Sequence, residues 1–179
     1  GTVMLPHMSY VMQNKKEDVK NKIYESMKLA LLLAITMSVS LMFISNEAAI
    51  IIFGEEFVKS GTIMKLLATT IIASAWANVI RTQYLIPIGN DKIYVSSTIG
   101  GAIINLLLNL ILIPRFGVYG ACVGTIAAEW FVMIYQSIMT IKHLEMKKYF
   151  RLFIEYLIKA VIIVSITYGL TFYLTNIYV

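Results

Sequence analysis

Five long apolar stretches are the feature that most constrains how this chain can fold. They cover residues 27–45, 62–88, 93–113, 118–141 and 152–177. A helix needs about 20 apolar residues to cross roughly 30 Å of hydrocarbon, and these stretches have that length. None of them alternates with period two, and an open sheet cannot cross lipid with unpaired backbone groups. The sequence therefore predicts an all-α, polytopic transmembrane bundle of about five spanning helices.

The overall composition argues against a soluble domain. Hydrophobic residues make up 59% of the 179-residue chain and charged residues only 14%. Soluble domains are about 45–50% apolar and about 25% charged. The surplus apolar surface has to face a solvent other than water, and lipid is that solvent. The single cysteine, Cys122, cannot form a disulfide within the chain.

The remaining segments are expected to connect the spans. We expect residues 1–8 to be the end of a preceding span and residues 9–26 to form a polar cytoplasmic segment, so the chain is expected to be a fragment. The apolar run Ala49–Phe53 is too short to cross the bilayer. Gly89–Lys92 and Pro114–Gly117 are short breaks, which predict antiparallel neighbouring helices.

The distribution of lysine and arginine predicts the orientation. The second and fourth connecting segments hold only Lys59 and Arg115, whereas the first, third and fifth hold nine basic residues: Lys15, Lys16, Lys20, Lys22, Lys92, Lys142, Lys147, Lys148 and Arg151. Basic loops stay on the cytoplasmic side of a membrane. We therefore place the nine-residue side in the cytoplasm. This topology explains the net charge of +5, and we predict no nucleic-acid partner.

The sequence lacks the motifs of soluble enzymes. There is no glycine-rich phosphate loop, HExxH or CxxC. We predict that the protein is not an enzyme and uses neither a cofactor nor a metal. Its informative residues are instead polar groups within the spans, because such groups are costly in lipid and usually face a bundle interior or a wet cavity.

Glu129 is the only charged residue of the fourth span. It lies roughly 17 Å from the outer end of that span, near the bilayer midplane. Thr125 and Gln136 share its face at helical spacing. Two interpretations stay open: the carboxyl group exchanges a proton or cation in a substrate cavity, or it locks two helices together.

Arg81 lies roughly 10 Å from the cytoplasmic end of the second span. Asn78 and Ser74 continue a polar stripe along the same helix. A guanidinium group at this depth suits a phosphate, whereas the alternative is that Arg81 extends towards the inner headgroups. We predict Arg81, Asn78, Glu129 and Gln136 as the substrate-binding residues.

Small and amide residues recur at spacing four in the third and fourth spans. The third span has Gly101, Asn105 and Asn109, and the fourth has Gly120 and Gly124. Small residues let helix backbones approach closely, and asparagines can form hydrogen bonds between helices. We predict that these two helices pack tightly against each other.

Several sequence stretches resemble the polysaccharide flippases, the Wzx-type transporters of O-antigen and capsule repeat units. The best match is NLLLNLILIPRFGVYGACVGTIAAE, from Asn105 to Glu129. It resembles that family's Asn-rich helix, Pro-x-Phe/Tyr-Gly turn, Gly-Ala helix and terminal acid. Leu5–Ser9, Phe53–Phe57 and Gln83–Pro87 also resemble family segments. These flippases belong to the MOP superfamily, together with multidrug and lipid II exporters.

The resemblance implies a fold and a function. It implies part of a two-lobed, MATE-like transporter of 12 or 14 spans, here from the end of span eight through span thirteen. The implied cargo is an undecaprenyl-pyrophosphate-linked oligosaccharide, moved across the bacterial plasma membrane by alternating access. Two alternatives stay open: a cation-coupled multidrug exporter, and the membrane part of a polysaccharide polymerase or transferase.

Overall fold

The computed structural model describes residues 16–177, and every long element within that range is a helix. The predicted all-α helix bundle is confirmed. Two predictions lie outside the described residues. They are the end of a preceding span at residues 1–8 and the first part, residues 9–15, of the predicted cytoplasmic segment.

The described residues form five helices joined by short links. In chain order they are α1 (Lys16–Phe53), a 3₁₀ turn (Glu55–Phe57), α2 (Val58–Ile80) continued by a π-helical turn (Arg81–Leu85), α3 (Asp91–Phe116), α4 (Val118–Thr140) and α5 (Met146–Ile177).

Four of these helical segments are long and apolar enough to cross a bilayer. They are Val19–Phe53, Glu55–Leu85, Asp91–Phe116 and Val118–Thr140. The protein is therefore an integral, multi-pass membrane protein. The span predicted at 152–177 is helical as part of α5, and its passage through the membrane stays a prediction.

Helix α1 is much longer than the predicted first span. Its 38 residues extend about 57 Å at 1.5 Å per residue, almost twice the thickness of the hydrocarbon core. It takes in the second half of the segment predicted to be a separate polar connection. The cause is a row of buried apolar side chains at every fourth position: Val19, Ile23, Met27, Leu31 and Ile35. Because of this row, even the polar first turns of α1 have an apolar face that is buried in the bundle. The helix therefore starts well before the apolar run.

Helices α1, α2 and α5 share the apolar core. The Ser38 hydroxyl of α1 donates a hydrogen bond of 2.7 Å to the Ala68 carbonyl of α2. At one end of this core, the fully buried ring of Tyr149 from α5 lies 6.3 Å from the rings of both Tyr24 and Trp76. These contacts fix α2 at the centre of the bundle, with α1 and α5 on one side.

Helices α3 and α4 form the second tight pair, as their small residues predicted. A Cβ atom added to Gly120 would lie 2.5 Å from the backbone of Leu112, and one added to Gly101 would lie 2.8 Å from Val132. The Asn105 amide nitrogen lies 3.4 Å from the Thr125 hydroxyl across the interface. Backbones this close leave no room for larger side chains, so the predicted packing is confirmed.

The turn between α3 and α4 is tighter than predicted. We expected Pro114 to end the third helix, but α3 continues through it to Phe116. Proline removes one backbone hydrogen bond and its ring crowds the carbonyl four residues earlier. Pro114 lies two residues from the end of α3, so the disturbance falls in the last helical turn and not in the interior. The chain reverses at Gly117, whose φ of 56° belongs to the left-handed region.

Candidate functional site

Polar side chains of α2, α3 and α4 lie along one open side of the bundle. We call this surface the polar face, and it consists of Ser74, Asn78 and Arg81 from α2, Tyr94, Thr98, Asn105 and Asn109 from α3, and Glu129 from α4. Contacts between helices join its parts, because Arg81 lies over Tyr94 and Ser74 bonds to Glu129. The neighbouring surfaces expose large apolar residues, such as Leu106, Leu110 and Ile138.

Arg81 is held at one end of the polar face by two uncharged partners. Its guanidinium group donates a hydrogen bond of 3.1 Å to the Asn78 side-chain carbonyl. Its Cζ atom lies 5.1 Å from the centre of the Tyr94 ring. Neither contact neutralises the charge, and no ion pair within residues 16–177 involves this arginine. The half-buried guanidinium group therefore keeps its charge available for an anion.

A π-helical turn begins at Arg81 and runs to Leu85. The N–H of Ile86 bonds to the Arg81 carbonyl at 3.0 Å, five residues back. Pro87 explains the widening, because its ring would clash with the carbonyl four residues earlier in an ordinary α-helix. Single π turns within α-helices occur frequently at functional sites. Here the wider turn coincides with the arginine of the polar face.

Glu129 lies at the middle of the polar face. It is the twelfth of the 23 residues of α4, and its half-buried carboxylate accepts a hydrogen bond of 2.5 Å from the Ser74 hydroxyl of α2. The sequence suggested a polar stripe on one helix and an acid on another. The structure brings the two together, so the carboxyl group both connects two helices and remains partly accessible.

An open cavity of about 420 Å³ lies beside Glu129, on the side of α3. Its polar lining comes from Thr98, Asn105, Asn109 and Glu129. The Asn109 amide donates to the Asn105 side-chain carbonyl at 2.7 Å, whereas the carbonyl oxygen of Asn109 is buried without a hydrogen-bond partner among the described residues. Glu129 and three polar residues of α3 therefore line one concavity at the level of the carboxyl group.

The structure places Gln136 apart from the other predicted binding residues. Its side chain is 1% exposed and donates a hydrogen bond of 2.9 Å to the Ser97 hydroxyl, inside the α3–α4 interface. Of the four predicted site residues, Asn78 and Arg81 are in direct contact, and Ser74 joins their helix to Glu129. Gln136 has no contact with the open surface.

Sequence reasoning missed Tyr94 and Thr98 on α3. The sequence could have indicated them, because the short link at Gly89–Lys92 predicts that the start of α3 lies beside the end of α2 and therefore near Arg81. Residues 94 and 98 are one turn apart on the same face of that helix. The π turn was not predicted, although a proline two residues after it is the expected cause.

Comparisons with known proteins agree with this membrane architecture. A sequence model of the family described as "Lipid II flippase MurJ" matches residues 1–179. The chain is also similar to a protein of Haloferax volcanii named "Probable low-salt glycan biosynthesis flippase Agl15", with 28% identity over 126 residues. That match covers 70% of this chain and 26% of the relative, so the chain spans about a quarter of the relative's length. No solved structure matches the chain.

Proposed function

This chain belongs to the family of the lipid II flippase MurJ, and on that premise we propose that it is part of a flippase for lipid-linked oligosaccharides. The observation that carries the proposal is the polar face. It places an arginine that has no ion-pair partner among residues 16–177 and a mid-helix carboxylate on one open surface of a bundle that otherwise exposes apolar side chains. Moving a lipid between leaflets breaks no covalent bond, so the protein acts as a transporter and not as an enzyme.

Arg81 is proposed to attract the pyrophosphate group that links the sugar to its lipid carrier. Its planar guanidinium group offers paired N–H donors that match two phosphate oxygens. Asn78 and Tyr94 hold this group by a hydrogen bond and a ring contact. The arginine is therefore oriented before the cargo arrives, which lowers the entropy cost of binding.

Glu129 is proposed to couple transport to a proton or cation. Its bond to Ser74 connects α2 with α4, so a change in the charge of the carboxyl group alters a contact between two helices. Alternating access requires helices to rearrange around a central site. Gln136 is proposed to act on the cargo only indirectly, by keeping α3 and α4 together through Ser97.

Two cargoes fit the comparisons. The resemblance to Wzx-type flippases and the glycan-biosynthesis name of the Haloferax relative favour an oligosaccharide repeat unit. The family description favours lipid II. We propose the repeat unit as the cargo, with the bacterial plasma membrane as the location. The test expresses the full-length protein in one strain that lacks its repeat-unit flippase and in another depleted of its lipid II flippase. Restored surface polysaccharide in the first strain supports the repeat unit, and restored growth only in the second assigns lipid II.

The alternatives fit the polar face less well. In a cation-coupled multidrug exporter, the positively charged Arg81 would lie beside positively charged substrates. This repulsion is unfavourable for binding. The membrane part of a polymerase or transferase requires a large loop with catalytic residues. No link between helices in residues 16–177 is longer than five residues.

A further inference from the structure

A second cavity, separate from the polar face, lies where the start of α1, the end of α2 and the α4–α5 link meet. Its volume is about 370 Å³. We call it the basic pocket, and it is lined by Val19, Lys20, Tyr84, Ile88, Lys142, His143 and Leu144. Lysines that are distant in sequence, from α1 and from the α4–α5 link, thus converge on one concavity.

Among the side chains that the structure describes, the charged ones that line the basic pocket are all basic. No acidic side chain is among its lining residues, and neither Lys20 nor Lys142 forms an ion pair within the described part of the chain. Glu145, one residue after Leu144 in the sequence, forms an ion pair with Lys148, with its carboxylate oxygen 2.8 Å from the Lys148 Nζ atom. Converging cations without a counterion favour an anionic ligand.

The walls of the basic pocket are ordered by a ring contact. The His143 ring stacks on Tyr84, with the ring centres 6.2 Å apart and the ring planes at 28° to each other. Tyr84 belongs to the π turn that starts at Arg81. Apolar walls come from Val19, Ile88 and Leu144, so the pocket combines a cationic rim with an apolar surface.

We propose that the basic pocket binds the phosphate group of an anionic molecule, and that its occupant is the headgroup of an anionic membrane lipid. The pocket lies at the ends of four helices, the level at which lipid headgroups lie. Basic pockets between transmembrane helices on the cytoplasmic side bind anionic headgroups, and the apolar walls suit the adjoining glycerol and acyl carbons.

The test measures thermal stabilisation and lipid retention of the full-length protein in nanodiscs. One arm compares uncharged phosphatidylcholine with the same lipid containing phosphatidylglycerol, and a second adds inorganic phosphate to the uncharged nanodiscs. The variant Lys20→Gln/Lys142→Gln is matched by Lys92→Gln/Lys147→Gln, which removes the same charge from exposed lysines that do not line the pocket.

We expect phosphatidylglycerol to stabilise the parent and the control variant, and phosphate to have little effect. In the pocket variant, retention of phosphatidylglycerol should fall by about fivefold for each lysine removed. If inorganic phosphate stabilises the parent, and only the pocket variant loses this effect, the pocket is an anion site. Its ligand is then a soluble phosphate and not a lipid headgroup. Equal losses in the two variants, or no stabilisation of the parent by either anion, would overturn the proposal.

Discussion

The Ser74 hydroxyl donates a hydrogen bond of 2.5 Å to the Glu129 carboxylate and thereby connects α2 with α4. The two residues are 55 positions apart, and the bond falls at the middle of α4. It makes one surface out of the arginine-bearing stripe of α2 and the asparagine-lined cavity of α3. The proposed function depends on this connection.

The first prediction concerns the energy of that bond. Replacing Ser74 by Ala removes the donor and leaves the carboxylate without its partner, which should cost about 1–3 kcal/mol of unfolding free energy. Once Glu129→Ala has removed the acceptor, the same serine change should cost less. A double-mutant cycle in thermal or denaturant unfolding should give a coupling energy of about 1 kcal/mol. Strict additivity of the two changes would show that the bond contributes nothing to helix pairing.

The second prediction separates the two uses of Glu129. Glutamine keeps a side-chain oxygen that accepts the Ser74 hydrogen bond but cannot change charge. We expect Glu129→Gln to fold and insert normally, to transport poorly, and to lose its response to an imposed pH gradient in reconstituted vesicles. Ser74→Ala is the matched control, because it breaks the bond and keeps the titrating group. Normal transport by Glu129→Gln with an unchanged pH response would leave helix locking as the only role of the carboxyl group.

The third prediction concerns the α3–α4 interface. A methyl group on Gly120 would approach the Leu112 backbone to 2.5 Å, and backbone cannot yield as a flexible side chain does. Gly120→Ala should therefore destabilise the protein by about 1–3 kcal/mol, measured as a lower unfolding temperature in detergent. Val123→Ala serves as the control on an exposed side of the same helix. Equal unfolding temperatures for the two variants would contradict the close packing.

Much of the fold was predictable because apolar length and glycine spacing act locally. Four of the five predicted spans, the short links and the α3–α4 packing all follow from residues near each other in sequence. The long start of α1 was also encoded, in the buried row from Val19 to Ile35, but the charges between these positions obscured it. The structure separates Gln136 from the other predicted binding residues, and the sequence could not predict this for a different reason. Whether Glu129 meets Ser74, and Gln136 meets Ser97, depends on how α4 is rotated between α2 and α3, and spacing along one helix does not determine this.

The fourth prediction tests the orientation. Glu55 lies between α1 and α2, and Lys147 lies at the start of α5, so three helices separate these exposed residues. Cysteines at the two positions, in a Cys122→Ala background, should be labelled from opposite sides of the membrane by an impermeant thiol reagent. Lys147→Cys should react only from the cytoplasmic side. Labelling of both cysteines from the same side would contradict the arrangement of spans.

The central claim is that Arg81 binds the pyrophosphate of a lipid-linked sugar, and a flipping assay tests it most directly. Full-length protein is reconstituted in vesicles with a fluorescent undecaprenyl-pyrophosphate-linked sugar, and Arg81→Lys is compared with Arg151→Lys, an exposed arginine at the start of α5. Lysine keeps the charge but loses the paired donors and the stacking plane. We predict that flipping falls about tenfold or more in Arg81→Lys and stays near the parent rate in Arg151→Lys. Parent-like flipping by Arg81→Lys and also by Arg81→Ala would contradict the account.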